Sequence, residues 1–222
     1  MHYQFDFSAI AQYRQLLVEG TIETLKMSLI SMAFALVAGI IVMLAKKSAM
    51  SPLRWMGTAF IEVIRNTPFL VQLLFIYFGL ASLNVKLSVI EAAVTALTVN
   101  AAAYVAEIVR GGVDAIHKGQ LEAGAALGLK PYQIFWNVVL RPSIRSVYPA
   151  LCSQFILLVL SSSIVSSISA PELTSAAQQV ESASFRSFEV YIVVTAIYLA
   201  LSIMLSTIFK LFGRVYFAYP TK

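Results

Sequence analysis

Few residues of this sequence are suited to catalysis. The chain of 222 residues has one cysteine, Cys152, and two histidines. This excludes an intrachain disulfide and a cysteine-based metal site, and it leaves little for imidazole catalysis. The phosphate-binding pattern G-x-x-x-x-G-K-[ST] is absent from the sequence, so the chain is not expected to cradle a nucleotide. We therefore predict no catalytic residue, no metal ligand and no cofactor in this chain.

The remaining candidates are polar side chains inside apolar segments. Asn100 and Glu107 lie seven residues apart, hence on one face of a helix. Such groups line polar routes through membranes or hydrogen-bond neighbouring helices, and the second use is the commoner one. With Glu91 they would also suit the relay of an ion-coupled transporter. The residues predicted to line a translocation pathway are Gln72, Asn100, Glu107, Ser161, Ser162 and Ser163.

The composition indicates the elements that must position these side chains. Hydrophobic residues make up 59% of the chain and charged residues 12%, against roughly 25% charged in soluble domains. Because a transmembrane helix needs about 20 mostly apolar residues, we predict an all-α integral membrane protein with five such helices. Their ranges are 27–45, 68–83, 87–109, 147–168 and 190–212. The second is short, and residues 58–64 are expected to lengthen it backward.

The distribution of charge predicts the orientation. Five spans place the termini on opposite sides of the membrane. With the N-terminus outside, twelve of the sixteen basic residues face the cytoplasm and four lie outside, as the positive-inside rule requires. The basic pI of about 9.4 then needs no nucleic-acid partner. The outer connection 170–188 is expected to hold a short surface helix. Its acidic surroundings fit either a docking surface for a soluble partner or solvated loop ends.

A cytoplasmic connection of 37 residues, 110–146, is too long for a simple connector. Its apolar residues have helical spacing on both sides of a break at residues 128–131. Gly128 suits the end of one helix and Pro131 the start of the next. We therefore predict two short amphipathic helices that meet at a bend. The pair would either lie on the membrane surface or fit a groove on a cytoplasmic partner.

The sequence of this connection resembles the EAA loop of bacterial ABC-importer permeases, whose pattern is E-A-A, three residues, G, nine residues, I-x-L-P. Glu122, Ala123 and Gly128 match the pattern, whereas Gly124 replaces an alanine and Arg141 stands where the proline belongs. The segments 20–25, 65–73 and 103–123 resemble further signatures of permeases for polar amino acids. The resemblance covers nearly the whole chain.

The resemblance implies a single permease domain, residues 1–222, in the bacterial inner membrane. It would be half of the translocation pathway of an ATP-driven importer for a polar amino acid. A cytoplasmic ATPase dimer would bind ATP and Mg²⁺ and dock on the loop. An extracytoplasmic binding protein would deliver the amino acid. The coupling residues implied are Glu122, Ala123, Gly124, Leu127, Gly128 and Leu129.

Several alternatives stay open. Glu122 would pair with a cation of the ATPase, tie the two short helices together, or favour the helix dipole. The family often has a charged pair in the segment of residues 160–165, and its absence here favours a second, different permease as the mate. Two other classes compete with the importer: an ion-coupled secondary amino acid transporter and an integral membrane enzyme.

Overall fold

The computed structural model describes residues 4–217, so residues 1–3 and 218–222 of the predicted domain lie outside the described part. All regular structure of the described part is helical. The helices are α1 (Ser8–Gln12), α2 (Arg14–Lys46), α3 (Ser51–Arg65), α4 (Phe69–Ser82), α5 (Val89–Asp114), α6 (Lys118–Ala126), α7 (Pro131–Ile168), α8 (Leu173–Ser184) and α9 (Ser187–Phe217).

Four of these helices, α2, α5, α7 and α9, are long and apolar enough to cross a membrane, and α3 with α4 forms a bent pair that brings the number to five when the pair is counted as one span. By length and composition, the all-helical class and up to five spans agree with prediction. Each long helix extends beyond its predicted range. Hydropathy marks only the apolar part of a helix, whereas α2 starts at Arg14 because its first turns pack on protein rather than on lipid.

The predicted backward extension of the second span, residues 58–64, is helical, but it belongs to a separate helix, because the chain bends by 112° between α3 and α4. Pro68 precedes α4, and the residue before a proline is disfavoured in helical conformation. Helix α3 instead lies across the ends of α2 and α5. Gly57 contacts the backbone of α2 around Lys46, and Ile61 is buried with Met43 and Ala106. We call this end of the bundle, expected to face the cytoplasm, the inner end.

The helix that contains the fourth span starts well before the predicted boundary at residue 147. The second short helix starts at Pro131, as predicted, but it continues without a break into the span. A π-helical turn, Phe135–Leu140, directly precedes the Arg141-Pro142 step. The wider turn accommodates a proline that has no N–H to donate one turn back. Arg141, Pro142 and Arg145 therefore lower the hydropathy of the segment before residue 147, but they do not break the helix.

Small residues hold α2 and α5 close together. A Cβ added at Gly39 would come within 2.6 Å of Val105, and one at Gly112 would overlap Val147 of α7. The buried face of α5 is rich in alanine, including Ala92, Ala96 and Ala102. Close approach of this kind is the usual basis of helix packing in membranes, where apolar side chains gain nothing from leaving lipid.

At the opposite end, which we call the outer end, the predicted surface helix of the 170–188 connection is present as α8. One face of α8 is buried, with Leu173, Ala177 and Val180 packed against α1, α2 and α9. Gly20 of α2 leaves room for this contact, since a Cβ there would lie 2.9 Å from Ala176. Helix α8 is therefore part of the outer core rather than a surface feature.

A buried carboxylate joins three elements at the outer end. The Glu172 side chain accepts hydrogen bonds from the backbone N–H groups of Thr174 and Ser175, at the start of α8. It also accepts one from the Tyr198 hydroxyl of α9, at 2.8 Å. The neighbouring Leu173 N–H donates to Thr24 of α2. Burial raises the pKa of the Glu172 carboxyl above its ordinary value, although these hydrogen bonds oppose the shift.

Candidate functional site: the coupling loop and the polar residues behind it

The bend predicted at residues 128–131 is a helix C-terminus with defined geometry. Gly128 has φ +75°, a left-handed conformation that glycine adopts without a Cβ penalty. The Gly128 N–H donates to the carbonyl of Ala125, and the Leu129 N–H donates to that of Gly124. These two bonds form a Schellman motif, which satisfies the last carbonyls of α6. The signal for this bend was present in the sequence as a glycine shortly before a proline.

The departure from the family pattern at Gly124 has a packing reason. Gly124 is the one buried residue of α6. A Cβ at this position would lie 3.3 Å from Ile134 and 3.7 Å from Val138 of α7. The missing side chain therefore lets α6 lie closely on the first turns of α7. Gly124 acts within the chain to hold the bend, and its neighbours on α6 remain exposed.

The tip of the bend exposes apolar surface. The Leu127 side chain is 81% exposed, and Tyr132, Phe135 and Trp136 of α7 are exposed as well. A Cβ added at Gly128 would meet nothing within 4 Å in the described part of the chain. Leu129 is half-buried. An apolar patch of this kind at the end of a projecting helix pair is suited to docking another protein.

Glu122 and Ala123, which match the first two positions of the E-A-A pattern, are both exposed on α6. Within residues 4–217, the Glu122 carboxylate has no hydrogen bond or ion pair. Glu122 therefore does not tie the two short helices together, and it lies beyond the first turn of α6, which carries no acidic residue. Of the three roles considered for Glu122, pairing with a cation of a partner is the one this position leaves open.

Two of the predicted pathway residues contact each other. The Asn100 side-chain amide donates to Oε1 of Gln72 at 2.9 Å. The Gln72 amide in turn donates to the carbonyls of Ile64 and Thr67 and to the Thr67 hydroxyl. The two carbonyls are among the backbone acceptors left without a helical partner at the α3–α4 bend. The pair therefore closes the bend and fastens it to α5, which is the helix–helix role weighed above.

The serines of α7 bond to their own helix. Ser162 Oγ donates to the Val159 carbonyl at 2.7 Å, and Ser163 Oγ donates to that of Leu160 at 2.8 Å. Both lie at the start of the 3₁₀ segment Ser162–Ile168, and Ser161 is the last α-helical residue before it. Ser162 is buried, whereas Ser161 and Ser163 are partly accessible. The structure does not bring these serines to Gln72 or Asn100 by any hydrogen bond in the described part.

Glu107 lies at the inner end, among cations from three helices. Its carboxylate accepts hydrogen bonds from Lys46 of α2 at 2.7 Å and from Arg110 of α5 at 2.8 Å. Arg65, the last residue of α3, lies 3.8 Å away and places its guanidinium over the Tyr104 ring. Sequence reasoning missed Lys46, Arg65 and Tyr104, because nothing in their spacing shows that they meet.

The hypothetical ion relay is not assembled. Glu91 caps the start of α5 in a reciprocal bond with Ser88. Asn100 bonds to Gln72, and Glu107 is ion-paired with Lys46 and Arg110. Each of the three residues therefore serves a separate structural contact. Residues 4–217 also contain no group of three or more His, Cys, Asp or Glu side chains that could hold a metal ion.

Comparison with known proteins identifies the family of this arrangement. A family profile described as "Binding-protein-dependent transport system inner membrane component" matches residues 35–216, which include α3, α4 and the whole 110–146 connection. The chain belongs to this family. It is therefore a multi-pass permease subunit of the inner membrane, and the α6–α7 bend lies in the matched region.

Curated relatives of this permease span almost its whole length. The glutamine transport system permease protein GlnP of Escherichia coli K12 is 38% identical over 213 residues, 95% of this chain and 97% of the relative. The arginine transport system permease protein ArtQ of Bacillus subtilis is 35% identical over 210 residues, 94% of this chain and 96% of the relative.

Solved structures agree with the fold. The permease superposes on a chain of an amino acid ABC transporter crystallised with histidines with a TM-score of 0.90, at 37% identity, covering 96% of this chain and 99% of the other. An inward-facing MetNI methionine ABC transporter gives a TM-score of 0.74 at 25% identity, with 90% and 96% covered. The all-helical importer fold predicted from the sequence is thereby confirmed.

Proposed function

We propose that this permease is a subunit of an ATP-driven importer for a polar amino acid. The observation that carries the proposal is the bent α6–α7 tip, with Leu127 exposed and Gly128 in left-handed conformation, in a chain whose relatives are named as glutamine and arginine permeases. An apolar tip held on a rigid helix pair needs a groove on another protein.

The partner at this tip is a cytoplasmic ATPase dimer that holds the ATP and Mg²⁺. Leu127 and Leu129 supply apolar contact, and Ala123 leaves room beside them. The free carboxylate of Glu122 pairs with a cation of the ATPase. Gly124 and Gly128 shape the tip. The family's dependence on a binding protein supports delivery of the cargo from the outside. The distribution of basic residues supports an N-terminus outside and a C-terminus in the cytoplasm.

A second permease completes the route across the membrane. The α7 segment of residues 160–165 has no charged side chain, which favours a different permease rather than a second copy as the mate. The accessible hydroxyls of Ser161 and Ser163 are this chain's contribution to a polar path. Gln72 and Asn100 contribute to that path by holding α4 against α5, since their side-chain amides are hydrogen-bonded to each other.

The test is reconstitution of uptake. The permease is co-expressed with candidate ATPases and mate permeases, purified as a complex, placed in proteoliposomes and given binding protein with labelled glutamine, arginine, histidine or glutamate. We expect uptake to require ATP inside the vesicles and to persist with an uncoupler present. Uptake that stops with the uncoupler while ATP remains high would contradict the proposal and favour ion coupling.

The docking assignment is tested in the same preparation. Gly128→Trp is expected to lower both co-purification of the ATPase and uptake. Gly119→Trp is the matched control, because Gly119 is exposed and lies on α6. A Cβ added at Gly119 would meet nothing within 4 Å in the described part of the chain. If ATPase association and uptake survive Gly128→Trp unchanged, the tip is not the docking site.

A further inference from the structure

The inner end contains an ion-pair cluster that the docking assignment leaves unused. Its two carboxylates, Glu107 and Asp114, lie seven residues apart on α5, and each forms ion pairs with more than one cation. Lys46 bonds to Glu107 at 2.7 Å, and Lys47 bonds to Asp114 at 2.5 Å. Arg110 bonds to both carboxylates, at 2.8 Å each. The cluster thus joins the last turn of α2 to the last two turns of α5.

The position of the cluster relates it to the coupling loop. Asp114 is the last residue of α5, and α6 starts at Lys118. A displacement of the Leu127 tip therefore reaches the membrane helices along two routes, through α7, which continues into its span, and through the end of α5. At this same end, Arg65 brings the end of α3 within 3.8 Å of Glu107. Glu107 is the carboxylate that faces all three helices at the base of the loop.

Apolar packing already holds these helices together. Met43, Ile61 and Ala106 form a buried cluster of α2, α3 and α5 beside the ion pairs. Glu107 itself keeps 18% of its side chain exposed. Partly exposed ion pairs contribute little to stability, but an ion pair between two helices keeps the ends of those helices next to each other. The cluster is therefore suited to setting relative position rather than to holding the fold.

We infer that Glu107 is a positioning residue for energy coupling: through Lys46 it ties α2 to the base of the coupling loop, so that α2, α3 and α5 move together when the loop is pushed. This replaces the predicted role of Glu107 in the translocation pathway. The inference rests on the proposed function, because it needs an ATPase docked at the tip.

The experiment measures the number of ATP molecules hydrolysed per cargo molecule imported, in proteoliposomes that hold the complete complex and binding protein. We expect Glu107→Gln to raise this ratio about threefold to tenfold, since mutations at coupling positions shift coupling by this order. ATPase co-purification, the melting temperature of the complex and the cargo concentration for half-maximal uptake are expected to stay at wild-type values.

Two further variants make the test specific. Lys46→Met removes the contact between helices and leaves the Glu107–Arg110 pair in place, so it should raise the ratio in the same direction even if Glu107→Gln folds poorly. The double variant should equal Glu107→Gln alone, because both changes break one interaction. Glu23→Gln is the matched control: Glu23 has an equally short ion pair, 2.7 Å to Lys26, but within one helix at the other end. Its ratio should equal the wild-type ratio.

The possible results separate the role of Glu107 from the proposed function. A wild-type ratio in both Glu107→Gln and Lys46→Met overturns the inference, and so does a double variant whose effect is the sum of the two. A higher half-maximal cargo concentration at an unchanged ratio would return Glu107 to the pathway. Failure of the wild-type permease to retain any ATPase contradicts the proposed function itself, and it is visible before any variant is made.

Discussion

The two ends of the bundle each use one carboxylate to join two helices, and they use it in different ways. At the inner end, Glu107 is 18% exposed and bonds to the cations Lys46 and Arg110. At the outer end, Glu172 is 1% exposed and accepts hydrogen bonds from backbone N–H groups and from the Tyr198 hydroxyl.

The difference teaches what each end is built for. A carboxylate buried among neutral donors loses a whole hydrogen-bond set if one helix shifts, so the outer end is a fixed clamp. Charge pairs near water tolerate small displacements, because attraction between charges falls off gradually with distance. The inner end also exposes the Leu127 tip. The outer end is thus suited to staying in place, and the inner end to moving as a unit.

The largest expected effect comes from breaking the inner end at its bend. Gly128→Val places a β-branched residue at φ +75°, and a left-handed conformation costs non-glycine residues about 1–2 kcal/mol. Because the tip must also fit its partner, we expect uptake in proteoliposomes to be nearly abolished. Gly119→Val should retain uptake, and equal losses in both variants would show that the effect is not specific to the bend.

Next in size is the removal of the outer clamp. Glu172→Ala leaves the N–H groups of Thr174 and Ser175, the first part-buried and the second buried, without their acceptor. The free energy of unfolding should therefore fall by about 1–3 kcal/mol. Hydrogen exchange measured by mass spectrometry should show faster exchange in α8, with little change in α6. If α8 exchanges no faster than in the wild type, Glu172 does not hold the outer end.

A smaller effect is expected from the exposed tip itself. Leu127→Ser should weaken ATPase binding about tenfold, as loss of one apolar contact residue does at interfaces, while the melting temperature of the isolated permease stays unchanged. Leu83→Ser is the control, since Leu83 is 72% exposed but lies next to α4, away from the tip. Binding measured by surface plasmon resonance that is weakened equally by both would contradict docking at Leu127.

The smallest effect is on pH dependence and concerns the outer end. Because burial raises the pKa of Glu172, the folded protein holds this proton to higher pH than the unfolded chain. The contribution to stability is complete below the ordinary value of 4.5 and is lost as the pH rises through the raised value. The melting temperature of the wild type should therefore fall over this window relative to Glu172→Gln, which does not titrate. Parallel curves for the two proteins would contradict the shift.

Local signals in the sequence predicted much of this molecule. The glycine at 128 and the proline at 131 indicated the bend, because each residue has a strong backbone preference of its own. Long apolar runs indicated the spans, because lipid selects for apolar side chains along a whole helix. Both kinds of signal depend only on neighbouring residues.

Signals of this kind failed where distant parts of the chain meet. The first turns of α2 are too polar for a hydropathy window, but they are helical because Leu17 and Gly20 pack on α8. The 112° bend between α3 and α4 lies at Pro68, which is a local signal, but the carbonyls left free there are satisfied by the Gln72 amide, which no local signal indicates. The role of Glu107 depended on Lys46, 61 residues away.

The sequence by itself determined the all-helical membrane class, the four long apolar helices and the bent loop, because apolar length, glycine and proline act through the chain's own backbone and its solvent. Only the tertiary structure decided which polar side chains are already satisfied within the chain and which remain free for a partner. A buried amide or carboxylate is defined by what lies opposite to it, and that neighbour is contributed by a different helix.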